Sequence, residues 1–196
     1  DARLADGSRV NIIIPPLAID GASISIRKFA KQKITLDHMI DWKSMSHKMG
    51  TVLKIAGACR LNILISGGTG SGKTTMLNAL SRMIDVGERV VTIEDMIGMA
   101  DLILPPKAVR EQISGAVDLV VQVSRMRDGG RRCCAVTEIV GMEGDIITTQ
   151  DLFLYEFTGE DADGKLTGNF RSTGVRPHFM EKAAYYGLDK ALMEAL

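Results

Sequence analysis

Apolar and polar residues alternate in two short segments near the start of the chain, RVNIII and SISIRKF, and a stretch containing proline and glycine separates them. A period of two predicts β-strands, and the proline and glycine predict a loop between them. Behind Thr35 and Ser46, apolar residues recur at helical spacing instead. Both residues are suited to cap a helix at its N-terminus, so two helices are predicted there.

A short apolar run, LNILIS, leads into the glycine-rich segment GGTGSGKTT and then into MLNALSRMI, which has helical spacing. The predicted order is therefore strand, glycine loop, helix. GERVVTIED follows, and its length and β-branched content predict a second strand, buried on both faces. These elements indicate the α/β class.

The second half of the chain changes character, with a helix predicted around AVREQISGAV and strands joined by short turns after it. RDGGRR is a hairpin signal between VDLVVQVSRM and CCAVTEIVGME. The remaining predicted elements are a strand or strand pair in DIITTQDLFLYEF, glycine-rich turns in TGEDADGKLTGNF, and a terminal helix in FMEKAAYYGLDKALMEAL.

Composition narrows the possible functions. The 196 residues carry 24 Lys and Arg against 24 Asp and Glu, so the net charge is zero. Binding of nucleic acid through the overall charge of the protein is disfavoured, and no nucleic-acid partner is expected. The basic segment RMRDGGRR leaves three local interpretations open: a contact with nucleic acid, a contact with a neighbouring subunit, or a charged hairpin tip.

No apolar stretch is long enough to span a bilayer, and the N-terminal segment DARLADGSRV lacks the apolar core of a signal peptide. Because this segment has no initiating Met, we expect the chain to be cut from a longer polypeptide. The three cysteines, two of them adjacent, do not form a disulfide framework. They predict reduced thiols in a cytoplasmic protein.

The glycine-rich segment carries the chemistry. Gly67, Gly72, Lys73 and Thr74 fit the pattern G-x-x-x-x-G-K-[ST] between a predicted strand and a predicted helix, which is the context of a phosphate-binding loop. Glycines let backbone N–H groups turn toward phosphate oxygens, and the helix dipole favours negative charge. The Lys73 ammonium would pair with the β- and γ-phosphates of a bound nucleotide, and the Thr74 hydroxyl would bind Mg²⁺.

A metal or an attacking water also needs an acidic strand end, and VVTIED offers Glu94 and Asp95. An acidic helix cap or a solvated turn remains the alternative for both residues. Asp95 to Gly98 also fits D-x-x-G, a GTPase pattern. No N-K-x-D segment follows to bind guanine, so a GTPase is disfavoured.

With these segments in this order, the chain resembles the ATPases of type II/IV secretion and pilus assembly, in particular the CpaF-like ATPases of the tight-adherence (Flp) pilus branch. LNILISGGTGSGKTT, VVTIED, EIVGMEGD and GNFRSTGVRPHFMEKAAYYGL carry the resemblance, with the N-terminal strands and the segment around RMRDGGRR. It implies a RecA-like core behind an N-terminal domain, assembled as a homo-hexamer. Such a motor would hydrolyse ATP with Mg²⁺ in the cytoplasm, against a platform protein of the inner membrane.

The resemblance also implies the domains and the site. We expect the end of the N-terminal domain at 1–30, a helical linker at 31–58, the RecA-like core at 59–155 and a small β-hairpin and helix extension at 156–196. Arginines of SIRKF and its neighbour strand would reach the phosphates, so Arg27 joins Lys73 and Glu94 as a catalytic candidate, although a solvated Arg27 stays possible. Thr74 and Asp95 are the metal candidates. The nucleotide-binding candidates are Gly67, Gly68, Thr69, Gly70, Ser71, Gly72, Lys73, Thr74, Thr75 and, more loosely, Arg9.

Two segments implied by the resemblance are missing: an apolar run ending in Gly-Glu (Walker B) and a Thr-x-His pattern (the histidine box). The family has both just after TIED, where Asp95 here runs almost directly into GMADLILPPKAVREQI. Either residues are absent between Asp95 and Asp101, or a true deletion leaves a subunit that binds nucleotide without hydrolysing it. We expect the first, because losing a central strand would strip the sheet of its core. Consecutive Cα atoms there would then be separated by much more than the usual distance of about 3.8 Å.

Overall fold

The computed structural model describes residues 1–28, 33–84 and 106–196. The chain forms two compact units, Asp1–Lys33 and Ile34–Leu196. Within the described ranges, no helix combines the length and the apolar character needed to cross a membrane.

The first unit is an antiparallel sheet with strand order β1–β2–β3. Its strands are β1 (Ala2–Arg3), β2 (Arg9–Ile13) and β3 (Ser23–Arg27). The two strands predicted from the alternating pattern are confirmed as β2 and β3. Val10 lies opposite Ile26 and Ile12 opposite Ile24. Because side chains alternate across a strand, these four form one apolar face, and the polar residues of β2 and β3 lie on the other.

The second unit contains a five-stranded sheet with helices, so the α/β class is confirmed. Its elements in chain order are α1 (Leu36–Asp41), α2 (His47–Ala58), β4 (Ile63–Ser66), α3 (Lys73–Leu80), α4 (Pro106–Ala116), β5 (Leu119–Arg125), β6 (Arg131–Glu143), β7 (Ile146–Glu160), β8 (Leu166–Ser172), α5 (Met180–Tyr185) and α6 (Asp189–Ala195). The strand order is β4–β5–β6–β7–β8. The pair β4 and β5 is parallel, and every later pair is antiparallel.

The first two helices begin where the sequence predicts them. Thr35 caps α1: its hydroxyl accepts a hydrogen bond from the backbone N–H of His38, while His38 Nδ1 accepts one from the Thr35 N–H at 3.2 Å. Ser46 caps α2 by accepting from the N–H of Met49 at 3.1 Å. Each cap satisfies N–H groups that have no partner inside the helix.

The core of the second unit is built from the apolar faces of α2, α3 and the sheet. In α2, Met49, Val52 and Leu53 are fully buried, as their helical spacing predicts. Met76 of α3 is also fully buried in the same cluster. The helix that follows the glycine loop is therefore anchored in the core, which fixes the position of its first turn.

Strand β8 is not expected from the sequence, which predicts glycine-rich turns in this C-terminal part of the chain. A Cβ atom at Gly168 would lie 2.4 Å from the Tyr155 ring, so this glycine allows a close cross-strand approach instead of forming a turn. The Tyr155 and Phe170 rings pack with their centroids 4.9 Å apart. The predicted terminal helix is split into α5 and α6 at Gly187, whose φ of +70° ends the first helix.

The proposed boundaries of the core and its extension stay predictions. The boundary between 155 and 156 lies inside β7, and the division of the chain into two compact units falls between Lys33 and Ile34. The strand predicted in GERVVTIED and the junction expected between Asp95 and Asp101 lie outside the described residues.

Candidate functional site

The glycine loop, residues 67–72, connects the end of β4 to the start of α3. The predicted order of strand, glycine loop and helix is thus confirmed. Gly72 precedes α3 with a φ of +103°, a conformation that favours glycine. Lys73 is the first residue of α3, so its side chain begins at the positive end of the helix dipole.

Gly67 fixes the loop against the neighbouring strand β5. Its φ is +155°, and a Cβ atom there would lie 2.1 Å from the carbonyl oxygen of Val123 and 2.6 Å from Ser71 Oγ. Backbone atoms of a central strand cannot move aside for a methyl group. The close approach of the loop to β5 therefore requires glycine at this position.

Lys73 closes the loop. Its Nζ donates hydrogen bonds to the carbonyl oxygens of Gly67 at 2.7 Å and of Gly68 at 2.9 Å. An ammonium group has three N–H donors, so one donor remains for another acceptor. The charge is thereby held beside the N-terminus of α3, where an anion would meet both the ammonium and the helix dipole.

Two arginines of the hairpin between β5 and β6 also lie beside the loop. Arg131 Nε donates to the carbonyl oxygen of Gly70 at 3.0 Å, and Arg131 Cδ lies 3.3 Å from the position of a Cβ atom at Gly72. Arg125 contributes a guanidinium nitrogen 3.8 Å from the position of a Cβ atom at Gly70. The hairpin predicted from RDGGRR is confirmed, and two of its flanking cations reach the loop.

The contact between hairpin and loop is the feature that the sequence-based interpretation missed. Parallel pairing places Ser66 of β4 opposite Gln122 of β5, so both strands end at the same edge of the sheet. The loop after β4 and the hairpin after β5 consequently meet there. A sequence-based prediction that LNILIS pairs in parallel with VDLVVQ would have placed the hairpin beside the loop.

Asp128 fixes the tip of this hairpin. Its Oδ1 accepts from the N–H of Gly130 at 2.8 Å, and its Oδ2 accepts from the N–H of Leu166 at 3.0 Å. The hydrogen bonds from Leu166 and Gly130 lower the pKa of the Asp128 carboxyl below its ordinary value. The ionised carboxylate thus joins the hairpin tip to the start of β8.

The hydroxyl residues of the site differ in exposure. Ser71 is only 2% exposed, and in the described part of the chain its hydroxyl has no hydrogen-bond partner. Thr74 is exposed and Thr75 half-buried in the first turn of α3. Glu94 and Asp95, the predicted catalytic and metal-binding carboxylates, lie outside the described residues.

The predicted phosphate-contacting arginines belong to the first unit. Arg9 of β2 lies directly opposite Arg27 of β3, and Arg3 of β1 lies directly opposite Arg9. All three are exposed. Like charges placed opposite each other in a sheet are destabilising. Stability alone therefore does not account for this three-arginine row. Arg3 cannot be predicted from an alternating pattern, because β1 has only two residues.

The glycine loop follows a sheet strand, and the helix after it begins with a lysine. This arrangement is typical of α/β proteins in which the N-terminus of a helix attracts an anion. Residues 1–119 match the model of a family described as type II/IV secretion system protein. The chain belongs to this family.

Curated relatives agree with this assignment. An uncharacterized protein of Methanocaldococcus jannaschii is 40% identical over 119 residues, covering 58% of this chain and 16% of the relative. The conjugal transfer protein TrbB of Rhizobium radiobacter is 38% identical over 92 residues, covering 45% and 28%. The type IV secretion system protein VirB11 of Bartonella quintana is 31% identical over 128 residues, covering 48% and 36%. The chain spans between about a sixth and about a third of the length of these relatives.

Proposed function

We propose that the chain is part of an ATP-hydrolysing hexameric motor that powers pilus assembly or protein secretion. The observation that carries the proposal is the Lys73 ammonium, held by the carbonyl oxygens of Gly67 and Gly68 at the N-terminus of α3. Family membership supports the same conclusion. The second unit would then hold the RecA-like ATPase core, and the motor would work in the cytoplasm at the inner membrane, against a platform protein.

The loop has the properties that the phosphates of ATP require. Its glycines permit the close approach to β5, and it contains the buried hydroxyl of Ser71, which has no hydrogen-bond partner among the described residues. Lys73 would bind the β- and γ-phosphates, and Thr74 would bind Mg²⁺, which would neutralise charge on the phosphates. The proposed nucleotide-binding residues are Gly67, Gly68, Thr69, Gly70, Ser71, Gly72, Lys73, Thr74 and Thr75.

Residues outside the loop would complete the catalytic site. The resemblance nominates Arg27, and more loosely Arg9, to contact the phosphates, and a bound polyanion would offset the opposed positive charges of the three-arginine row. Glu94 would position the attacking water and Asp95 the metal. Both roles rest on the sequence pattern TIED.

The tight-adherence pilus is the finer assignment that we propose. The segments EIVGMEGD and GNFRSTGVRPHFMEKAAYYGL, which resemble the CpaF-like branch, lie beyond the residues matched by the family model. The relatives TrbB and VirB11 are named for conjugal transfer and type IV secretion. The C-terminal segments of this chain are therefore the basis on which we propose pilus assembly.

A nucleotide-binding subunit that does not hydrolyse ATP is the second candidate, favoured by the missing Walker B pattern after TIED. Measurements of ATP binding and of phosphate release on the same full-length protein separate the two. Binding with phosphate release supports the motor, and binding without release supports the regulatory subunit. Absence of ATP binding contradicts both.

A further inference from the structure

The turn between α1 and α2, residues 42–46, is joined to the sheet by a buried backbone hydrogen bond. Cys133 of β6 donates its N–H to the carbonyl oxygen of Ser44 at 2.7 Å, and both residues are buried. The register of β6 with β7 runs from Ala135 to Glu143, so Cys133 lies beyond it and its N–H is available to the turn. A buried backbone group that loses its partner costs free energy, so the position of the turn and the position of β6 depend on each other.

Cys133 connects this turn to the glycine loop through β5. It is paired with Val123, whose carbonyl oxygen lies 2.1 Å from the position of a Cβ atom at Gly67. The loop backbone therefore packs directly on the strand residue that Cys133 pairs with. Ser44, Cys133, Val123 and Gly67 form a continuous row of packed backbone, which we call the turn-to-loop row.

A second connection runs along β6 itself. Arg131, two residues before Cys133, donates from Nε to the carbonyl oxygen of Gly70 at 3.0 Å. Between these residues and the rest of β6 lies a β-bulge, in which Cys134 is an extra residue relative to β5. An extra residue reverses the alternation of side chains along a strand, so the bulge determines the face on which Arg131 lies. The start of β6 thus contacts the turn on one side and the loop on the other.

Lys43 holds the turn in place with a left-handed backbone. Its φ is +55°, and it lies at the end of α1, where its N–H donates to the carbonyl oxygen of Ile40 and the N–H of Ser44 donates to that of Met39, both at 2.8 Å. Helices often end in this way, and glycine is the usual residue at the left-handed position. A residue with a Cβ atom is strained there. The location of the Ser44 carbonyl oxygen therefore depends on a strained residue whose side chain is exposed.

We propose that the turn between α1 and α2 holds the glycine loop in the conformation that binds phosphate, so that the turn and the nucleotide site are energetically coupled. The effect on binding rests on the proposed function, since it requires a nucleotide on the loop. A displaced Ser44 carbonyl leaves the Cys133 N–H without its acceptor, and the start of β6 then shifts with its contacts to Val123 and Gly70. Lys43 is a positioning residue in this account, because it acts through the sheet and not on the phosphates.

Calorimetric titration of Mg-ATP into variants of the full chain tests the coupling. Lys43→Val puts a β-branched residue at a left-handed position, so the turn must rearrange, and ATP affinity should fall about three- to tenfold. Lys43→Gly removes the same charge but adopts the left-handed conformation readily, so it should bind within about twofold of wild type. The matched control is Arg60→Val, which should also stay within about twofold. Arg60 ends α2 with a φ of +57° and the same pattern of backbone hydrogen bonds, and it precedes β4 at the end away from the loop.

Hydrogen exchange gives a readout that needs no nucleotide. In the free chain, the amides of residues 67–72 should exchange at least about threefold faster in Lys43→Val than in Arg60→Val, because only the first variant disturbs the turn-to-loop row. Coupling between two sites is reciprocal, so Mg-ATP should slow exchange of the Cys133 amide in the wild-type chain. This last measurement needs no variant and decides the question if Lys43→Val does not fold.

Each alternative has its own outcome. Equal loss of ATP affinity in Lys43→Val and Lys43→Gly would assign the effect to the lysine charge and overturn the coupling. Equal effects of Lys43→Val and Arg60→Val on affinity and exchange would reduce it to general destabilisation and overturn it as well, as would a Cys133 amide that exchanges at the same rate with and without bound ATP. Failure of the wild-type chain to bind ATP would contradict the proposed function, and the exchange of residues 67–72 would still decide whether the turn holds the loop.

Discussion

Arg131 Nε donates a hydrogen bond to the carbonyl oxygen of Gly70 at 3.0 Å, which ties the hairpin after β5 to the glycine loop after β4. The donor is a permanent cation, so the contact fixes the loop backbone and adds positive charge beside it. Both effects favour a polyanion on the loop. They depend on the parallel pairing of β4 with β5, which brings the two connections to one edge of the sheet.

Arg131→Ala should weaken Mg-ATP binding about two- to tenfold, because it removes an exposed hydrogen bond of about 0.5–1.5 kcal/mol and a nearby positive charge. Isothermal titration calorimetry measures the change. The matched control is Arg127→Ala, since Arg127 belongs to the same hairpin but pairs with Glu160. Equal effects of the two variants would show that only the overall charge of the hairpin matters.

Gly67→Ala should lower the free energy of unfolding by about 2 kcal/mol or more, because the new Cβ atom would lie 2.1 Å from the carbonyl oxygen of Val123. Gly68→Ala is the matched control, since among the described residues no atom lies within 4 Å of the position of a Cβ atom at Gly68. Denaturant unfolding of both variants measures the difference. If the two alanine variants are equally stable, the close approach of the loop to β5 is incorrect.

Asp128 predicts a specific pH dependence of stability. Its pKa is lowered in the folded chain, so its stabilising contribution is complete above the ordinary value of 3.8 and is lost as the pH falls through the lower folded-state pKa. Asp128→Asn should therefore be less stable than wild type at neutral pH. Its stability should also fall less steeply between about pH 5 and pH 2. Parallel curves for the two proteins would argue against the hydrogen bonds from Leu166 and Gly130.

If Arg27 contacts the phosphates as proposed, Arg27→Ala should keep the melting temperature of the full-length protein and lower its ATPase rate at least about tenfold, because a cation at the phosphates would act mainly on the transition state. Arg171→Ala is a suitable control, since Arg171 is another strand arginine and pairs with Glu156. If Arg27→Ala hydrolyses ATP at the wild-type rate, Arg27 is a solvated surface residue without a role in catalysis.

Local signals in the sequence predict much of this fold. Thr35 and Ser46 mark their helices because a cap needs only a side chain and the next turn of backbone. The glycine loop is predictable for the same reason, since its strand, turn and helix are contiguous. Gly168 is misinterpreted as a turn because its reason for being glycine, the Tyr155 ring, is 13 positions away in the chain.

The parts of the site that the sequence did not predict depend on pairing between distant segments. Arg131 reaches Gly70 across a separation of 61 residues, and nothing local to RMRDGGRR indicates that partner. Arg3 joins Arg9 and Arg27 only through the register of the first sheet. Sequence patterns predict where the helices and strands lie along the chain. Strand order and register determine which charged side chains lie next to each other.

Calorimetric titration of Mg-ATP into the full chain and its Lys73→Ala variant tests the central claim most directly. Lys73→Ala removes a charge-assisted contact worth about 1.5–3 kcal/mol, so ATP affinity should fall at least about tenfold in a variant that still folds. Lys107→Ala, which removes a lysine of α4 paired with Asp145, should bind like wild type. Unchanged ATP affinity in a folded Lys73→Ala variant would contradict the assignment of residues 67–75 as the nucleotide site.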